Sequence, residues 1–191
     1  MNKDLRWRII SLQVVILAVF AFGGGLAFYA SNFTQGQIRS QLEPQKIFFP
    51  KDISTVSEPE KTALQPFVGQ QVVNGEQAHV YAENYLGLHL RELADGKVYS
   101  ELSTAARTEK DPVEKAKKDG LVQTAFRGET LRSMLNQAWA FGTIGDIAMF
   151  AGFGLMFAVL LVAGSLAFEL FVAPKRASAR VGARTLAPNA A

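Results

Sequence analysis

Two long apolar runs, Ile9–Ala30 and Ile147–Val172, constrain this chain more than any other feature. As helices rising about 1.5 Å per residue they reach roughly 33 and 39 Å, enough to cross about 30 Å of hydrocarbon with some tilt. The expected architecture is an all-α membrane protein in which two transmembrane helices flank an extracytoplasmic, mainly helical domain. Residues 1–8 form a short N-terminus, 9–30 the first span, 31–146 the domain, 147–172 the second span and 173–191 a basic tail. A cleaved signal peptide also begins with a basic flank and an apolar run. The length of the first run and the lack of an Ala-x-Ala site after it favour an anchor.

Charge sets the orientation. Lys3, Arg6 and Arg8 flank the first run, and Lys175, Arg176, Arg180 and Arg184 follow the second. Basic residues close to a span stay on the inner side, so both termini are expected in the cytoplasm and the protein in the cell membrane as a multi-pass chain. Between Ser31 and Asp146, 13 Lys and Arg stand against 15 Asp and Glu, so the sequence pI near 9.2 comes from the ends. That balance offers no basic surface for nucleic acid. The absence of cysteine removes disulfides, thiolate metal sites and cysteine nucleophiles.

Local signals divide the middle. Beyond Tyr29 the first helix can continue outward until Pro44. Residues 44–70 hold four of the seven prolines and read as an extended connector, with Phe48–Phe49 lying against either the domain or the membrane surface. Asn74 and Gln77 open a helix over 75–94 that Asp95–Gly96 ends. At 100° per residue its apolar face carries Ala78, Ala82, Tyr85, Leu86, His89 and Leu93, with His79, Glu83 and Arg91 turned away. Asp111-Pro112-Val-Glu114 starts another helix, over 112–146 and onward into the second span. Its seam of apolar and small residues, Leu121, Ala125, Gly128, Leu131, Leu135, Ala138 and Gly142, must bury against the 75–94 helix or a partner.

Few side chains invite chemistry. His79 and His89 point about 80° apart on one helix, so they are no ligand pair. His79 reads as solvated beside Glu83, and His89 as a packing residue and a weak functional candidate. Glu169, the one ionisable residue inside a run, is a weak functional candidate for a proton or ion path, although Lys175 and Arg176 lie close enough for a local charge pair. Gly23, Gly24 and Gly25, with Ala148 and Gly152, expose backbone for close contact between the spans or between copies of the chain.

Gly69-Gln-Gln-Val-Val-Asn-Gly-Glu-Gln-Ala78, Gly96-Lys-Val-Tyr-Ser-Glu101, Phe126-Arg-Gly-Glu-Thr-Leu-Arg132 and Asn136-Gln-Ala-Trp-Ala-Phe-Gly142 resemble a group of small actinobacterial two-span membrane proteins. The resemblance covers roughly residues 69–172. Members of that group often carry the name aromatic ring-opening dioxygenase, and no functional motif comes with the resemblance. Ring opening of that kind uses non-haem iron held by two His and a carboxylate on one face. Two histidines on diverging faces do not supply that set. The expectation is therefore a non-enzymatic membrane protein without cofactor. It would be an accessory, assembly or interaction subunit that meets the bilayer and either a protein partner or its own copies. An extracytoplasmic ligand sensor working through a partner, or a small oligomeric channel or transporter subunit, are the alternatives.

Overall fold

A computed structural model describes residues 3–173. Its described residues are all-α: α1 (Lys3–Leu42), α2 (Glu60–Leu64), α3 (Gly75–Val80), α4 (Gly87–Leu93), α5 (Tyr99–Thr108) and α6 (Pro112–Ala167). Two π-helical segments join them, Tyr81–Leu86 between α3 and α4 and Phe168–Val172 after α6. The chain divides into two compact units, Met1–Ser31 with Ile147–Ala191, and Asn32–Asp146.

The first unit pairs the start of α1 with the end of α6, antiparallel. Gly24 lies against Met156 and Gly152 against the ring of Phe28, where a methyl group would come within 3.2 and 3.1 Å of those side chains. Missing Cβ atoms thus let the backbones approach. Phe28 meets Phe153 edge-on, with centroids 5.0 Å apart. Farther along, Gln13 Nε2 donates to Ser165 Oγ at 2.9 Å and Arg6 Nη2 to the carbonyl of Glu169 at 2.6 Å.

In the second unit a core forms from Ile38 and Leu42 of α1, Phe49, Ile53, Leu64, Val72, Ala78, Ala82 and Leu135. Its existence overturns the expectation of an extended connector at 44–70. Phe49 is 2% exposed, stacked on Phe67 and edge-on to Tyr81, whereas its neighbour Phe48 is exposed. The Phe49 N–H donates to Gln70 O and the Val72 N–H to Ile47 O, both at 2.9 Å. Prolines close short 3₁₀ turns at Glu43–Gln45 and Gln65–Phe67 rather than excluding structure. In a segment this short, burial of Phe49, Ile53 and Leu64 outweighs weak local propensity.

The 75–94 region is helical, but its buried face turns halfway. Asn74 Oδ1 accepts from the Gln77 N–H, and Gln77 Oε1 accepts from the Val73 N–H, each at 2.9 Å. Ala78 and Ala82 are fully buried; beyond the π segment the buried residues are Gly87, Leu90 and Ala94. A π turn adds a residue to the helical period, which moves the face by one position. Leu93 and His89 are consequently exposed, contrary to the uniform 100° wheel. Asp95 and Gly96 then take left-handed φ of 53° and 72°, with the Gly96 N–H donating to Arg91 O at 2.8 Å.

α5 was not legible as a helix, because its ten residues are mostly small and polar, with only Glu101 and Arg107 charged and a short apolar face. Glu101 Oε2 caps it by accepting from the Val98 N–H, and Leu102 and Ala106 are buried. Leu102 packs with Ala94 and Ala125 in a second small cluster. Glu109 closes the corner to α6. It accepts from Lys118 Nζ and from the backbone N–H groups of Asp111 and Lys110, which together hold its carboxyl down to about 2. Asp111 Oδ1 accepts from the Val113 and Glu114 N–H groups at 2.9 Å, the cap expected ahead of Pro112.

Candidate functional site

The face of α6 that carries the seam packs inside its own unit. Ala125 and Leu135 are buried, Leu121 is half-buried beside Ala94 and Leu102, and Gly128 receives Leu90. A methyl at Gly142 would lie 3.4 Å from Gly75 Cα, and one at Gly75 would press to 3.1 Å from the Ala138 carbonyl oxygen. Leu131 of the same seam is 38% exposed and, with Leu135 and Ala138, lines the groove between α6 and α1.

Between this face and the segment that runs from α3 into the π turn lies a polar cluster. Glu83 accepts from Arg132 Nη2 through one carboxylate oxygen and from Asn136 Nδ2 at 2.5 Å through the other. With Asn136 donating there, its Oδ1 accepts from His79 Nδ1 at 2.9 Å. The His79 ring stacks on Trp139, centroids 4.2 Å apart. The hydrogen bond from Arg132 holds the Glu83 carboxyl below the ordinary range against partial burial, and Asn136 adds to it. His79 is therefore a half-buried partner of Trp139, not the solvated residue the wheel implies. Long side chains on α6 reach across to it, and no sequence spacing announces them.

Trp139 also borders a cavity of about 460 Å³ lined by Gln35, Asn74, Gly75, Glu76, Gly142, Thr143 and Asp146. Gln35 Nε2 spans it, donating to Asp146 Oδ1 at 3.0 Å and to Gly142 O at 3.3 Å.

Beside the buried face α6 is open. A groove of about 470 Å³ runs between α6 and the C-terminal end of α1, with Ile38, Leu42, Ile47, Leu131, Leu135 and Ala138 as its apolar floor. Gln37, Gln41 and Gln45 rim it on α1. A shallower hollow, bordered by Tyr99, Phe126 and Thr130, adjoins it, sharing Met134 and Gln137. Along α6 the exposed residues Thr130, Met134, Gln137, Phe141 and Ile144 repeat at spacings of 4, 3, 4 and 3. This second seam escapes a reading that assigns one buried face per helix, although its heptad spacing is written in the sequence.

Elsewhere the expected site residues scatter. Gly23 and Gly24 contact Leu155 and Met156, whereas Gly25 faces open space and takes no part in that contact. Ala148 is half-buried. His89 is exposed, its Nδ1 donating to Tyr85 O at 2.9 Å and its ring against Tyr85. Glu169 lies half-buried in the second π segment; Lys175 and Arg176, its expected charge partners, fall outside the described residues. Among the described residues no three His, Asp or Glu side chains gather where they could hold a metal ion.

Fold and sites together define an all-α protein with two helices long and apolar enough to cross a membrane. No known protein family matches the chain, and neither a curated protein nor a solved structure is significantly similar to it.

Proposed function

We propose that this chain is a non-enzymatic integral membrane protein of the cell membrane, an accessory or assembly subunit. Its 32–146 unit would lie outside the cytoplasm and present a helical surface to another protein. The observation that carries the reading is apolar surface that none of the described residues covers. In the most apolar 18-residue window of the α1 region 11% of residues are buried, and in that of the α6 region none are. Phe22, Phe150, Phe157 and Leu160 are each more than three-fifths exposed. At about 25 cal/mol per Å², water would not tolerate such helices, whereas lipid tails solvate them. Basic flanks at both ends support cytoplasmic termini. Outside the spans, α6 from Phe126 to Ile144 exposes Phe126, Met134, Trp139 and Phe141, residue types enriched at interaction sites.

A photo-crosslinking amino acid placed at Phe126 in living cells tests this, with Thr143, exposed on the opposite side of α6, as the control position. The expected result is a crosslinked species heavier than the single chain from position 126 and none from 143. Monomer alone from both would contradict an interaction subunit. The cavity beside Trp139 favours one second reading, an extracytoplasmic ligand sensor. Under it, a small molecule that raises the melting temperature of the full chain loses that effect in Trp139→Ala.

A further inference from the structure

The lining of the cavity beside Trp139 selects its occupant. Two carboxylates line it, Glu76 and Asp146, and no Lys, Arg or His stands among the lining residues. Glu76 has neither a side-chain hydrogen bond nor an ion pair among the described residues. A cleft with walls of one sign concentrates counter-ions. Gln35 Nε2 is engaged with Asp146 and Gly142 O, which leaves its Oε1 as a further acceptor. Stacking on His79 at 4.2 Å orients the Trp139 ring and occupies one face, yet the residue stays 42% exposed where it borders the cavity. An indole face attracts a cation within about 6 Å.

These features exclude the other classes of ligand. An anion is repelled, and a neutral molecule would cover the carboxylates without pairing them. Two carboxylates fall short of the six to eight oxygens that a calcium ion takes, whereas about 460 Å³ accommodates an organic molecule. A quaternary ammonium has no N–H for the carboxylates and the Gln35 amide; a primary ammonium has three. Resting on the sensor reading above, we propose that the cavity binds an organic molecule by its primary ammonium group. Glu76 and Asp146 supply the counter-charge, Gln35 Oε1 a further acceptor and Trp139 an aromatic wall. Asp146 directly precedes the apolar run that begins at Ile147, so the ammonium has two sources, a soluble amine or the headgroup of an aminophospholipid.

Trp7 and Trp139 are the two tryptophans, so Trp7→Phe makes fluorescence a report on Trp139 alone. The full chain with that change is placed in phosphatidylglycerol nanodiscs, which carry no amine, and titrated with ethanolamine; a parallel series of discs carries increasing phosphatidylethanolamine instead. Ethylene glycol, of similar size and uncharged, and calcium chloride are the controls. A saturable change in Trp139 emission is expected with amine and not with either control. Glu76→Gln and Asp146→Asn, both at exposed positions, should each weaken it by at least about tenfold, whereas Glu92→Gln, which removes a charge outside the cavity, should keep it. A response to ethanolamine assigns the site to a soluble amine, and one confined to the phosphatidylethanolamine discs assigns it to the lipid. No response to either, an equal response to ethylene glycol or calcium, or a full response in both charge variants would overturn the proposal. A molecule without an amine that raises the melting temperature of the full chain, an effect lost in Trp139→Ala, would sink the ammonium yet keep the sensor reading. Neither a fluorescence response nor a melting shift with any molecule tested would sink both.

Discussion

Arg132 and Glu83 show how much one pair of side chains organises in the 32–146 unit. Their ion pair, with Asn136 and His79, is the polar tie between the 75–94 region and α6. Removing the carboxylate leaves Arg132 only the longer contact to Glu129 at 3.5 Å, with its Nε already buried without a partner. Glu83→Ala is therefore expected to destabilise the unit by about 1–3 kcal/mol, read from thermal unfolding in detergent. The pair also sets a pH response. Arg132 lowers the carboxyl in the folded protein, so the stabilisation is whole above the ordinary carboxylate range and drains as pH falls through the lowered value. Melting temperature should fall as pH drops below the ordinary carboxylate range in the native chain, and Glu83→Gln should flatten that slope. An unchanged slope would show that the pair contributes little. Glycines give a second contrast at this scale. Gly120→Ala, where a methyl meets open space, should raise the melting temperature through helix propensity, whereas Gly75→Ala, pressed on the Ala138 carbonyl, should lower it.

At the scale of elements, α4 meets α6 where Leu90 occupies the space a Cβ at Gly128 would need. Gly128→Ala alone should cost about 1–3 kcal/mol through overpacking, and Leu90→Ala should also destabilise by leaving a void. Combined, the two changes should cost less than their sum, with a coupling of about 0.5–3 kcal/mol in a double-mutant cycle. Strict additivity would mean that the helices do not meet there. Capping signals were legible because they are local: Asn74, Asp111 and the Asp95–Gly96 stop each depend on atoms within a turn. The π segment was not, since its extra residue is tolerated for the burial of Gly87 and Leu90, a tertiary effect that a constant-period wheel leaves out. The connector failed for the same reason. Phe49 and Leu64 are buried by residues distant in sequence, and proline counts carry no record of that.

Across the whole molecule, the apolar runs were the most legible feature, because length and hydropathy are properties of the chain itself. The glycines of the first unit were partly legible: Gly24 and Gly152 do admit a neighbouring helix, while Gly25 shows that a glycine cluster does not say which member faces inward. The exposed seam from Thr130 to Ile144 was present in the spacing but hidden by the buried seam on the same helix, and only exposure distinguishes the two. Lipid solvation of both long helices, with the 32–146 unit outside, is what the functional reading stands on. Single cysteines at Thr108 and at Asp4, both exposed in their units, test it in intact cells with a membrane-impermeant maleimide. Thr108→Cys should label at once and Asp4→Cys only after permeabilisation; equal labelling of both, or labelling of Asp4→Cys alone, would contradict the account.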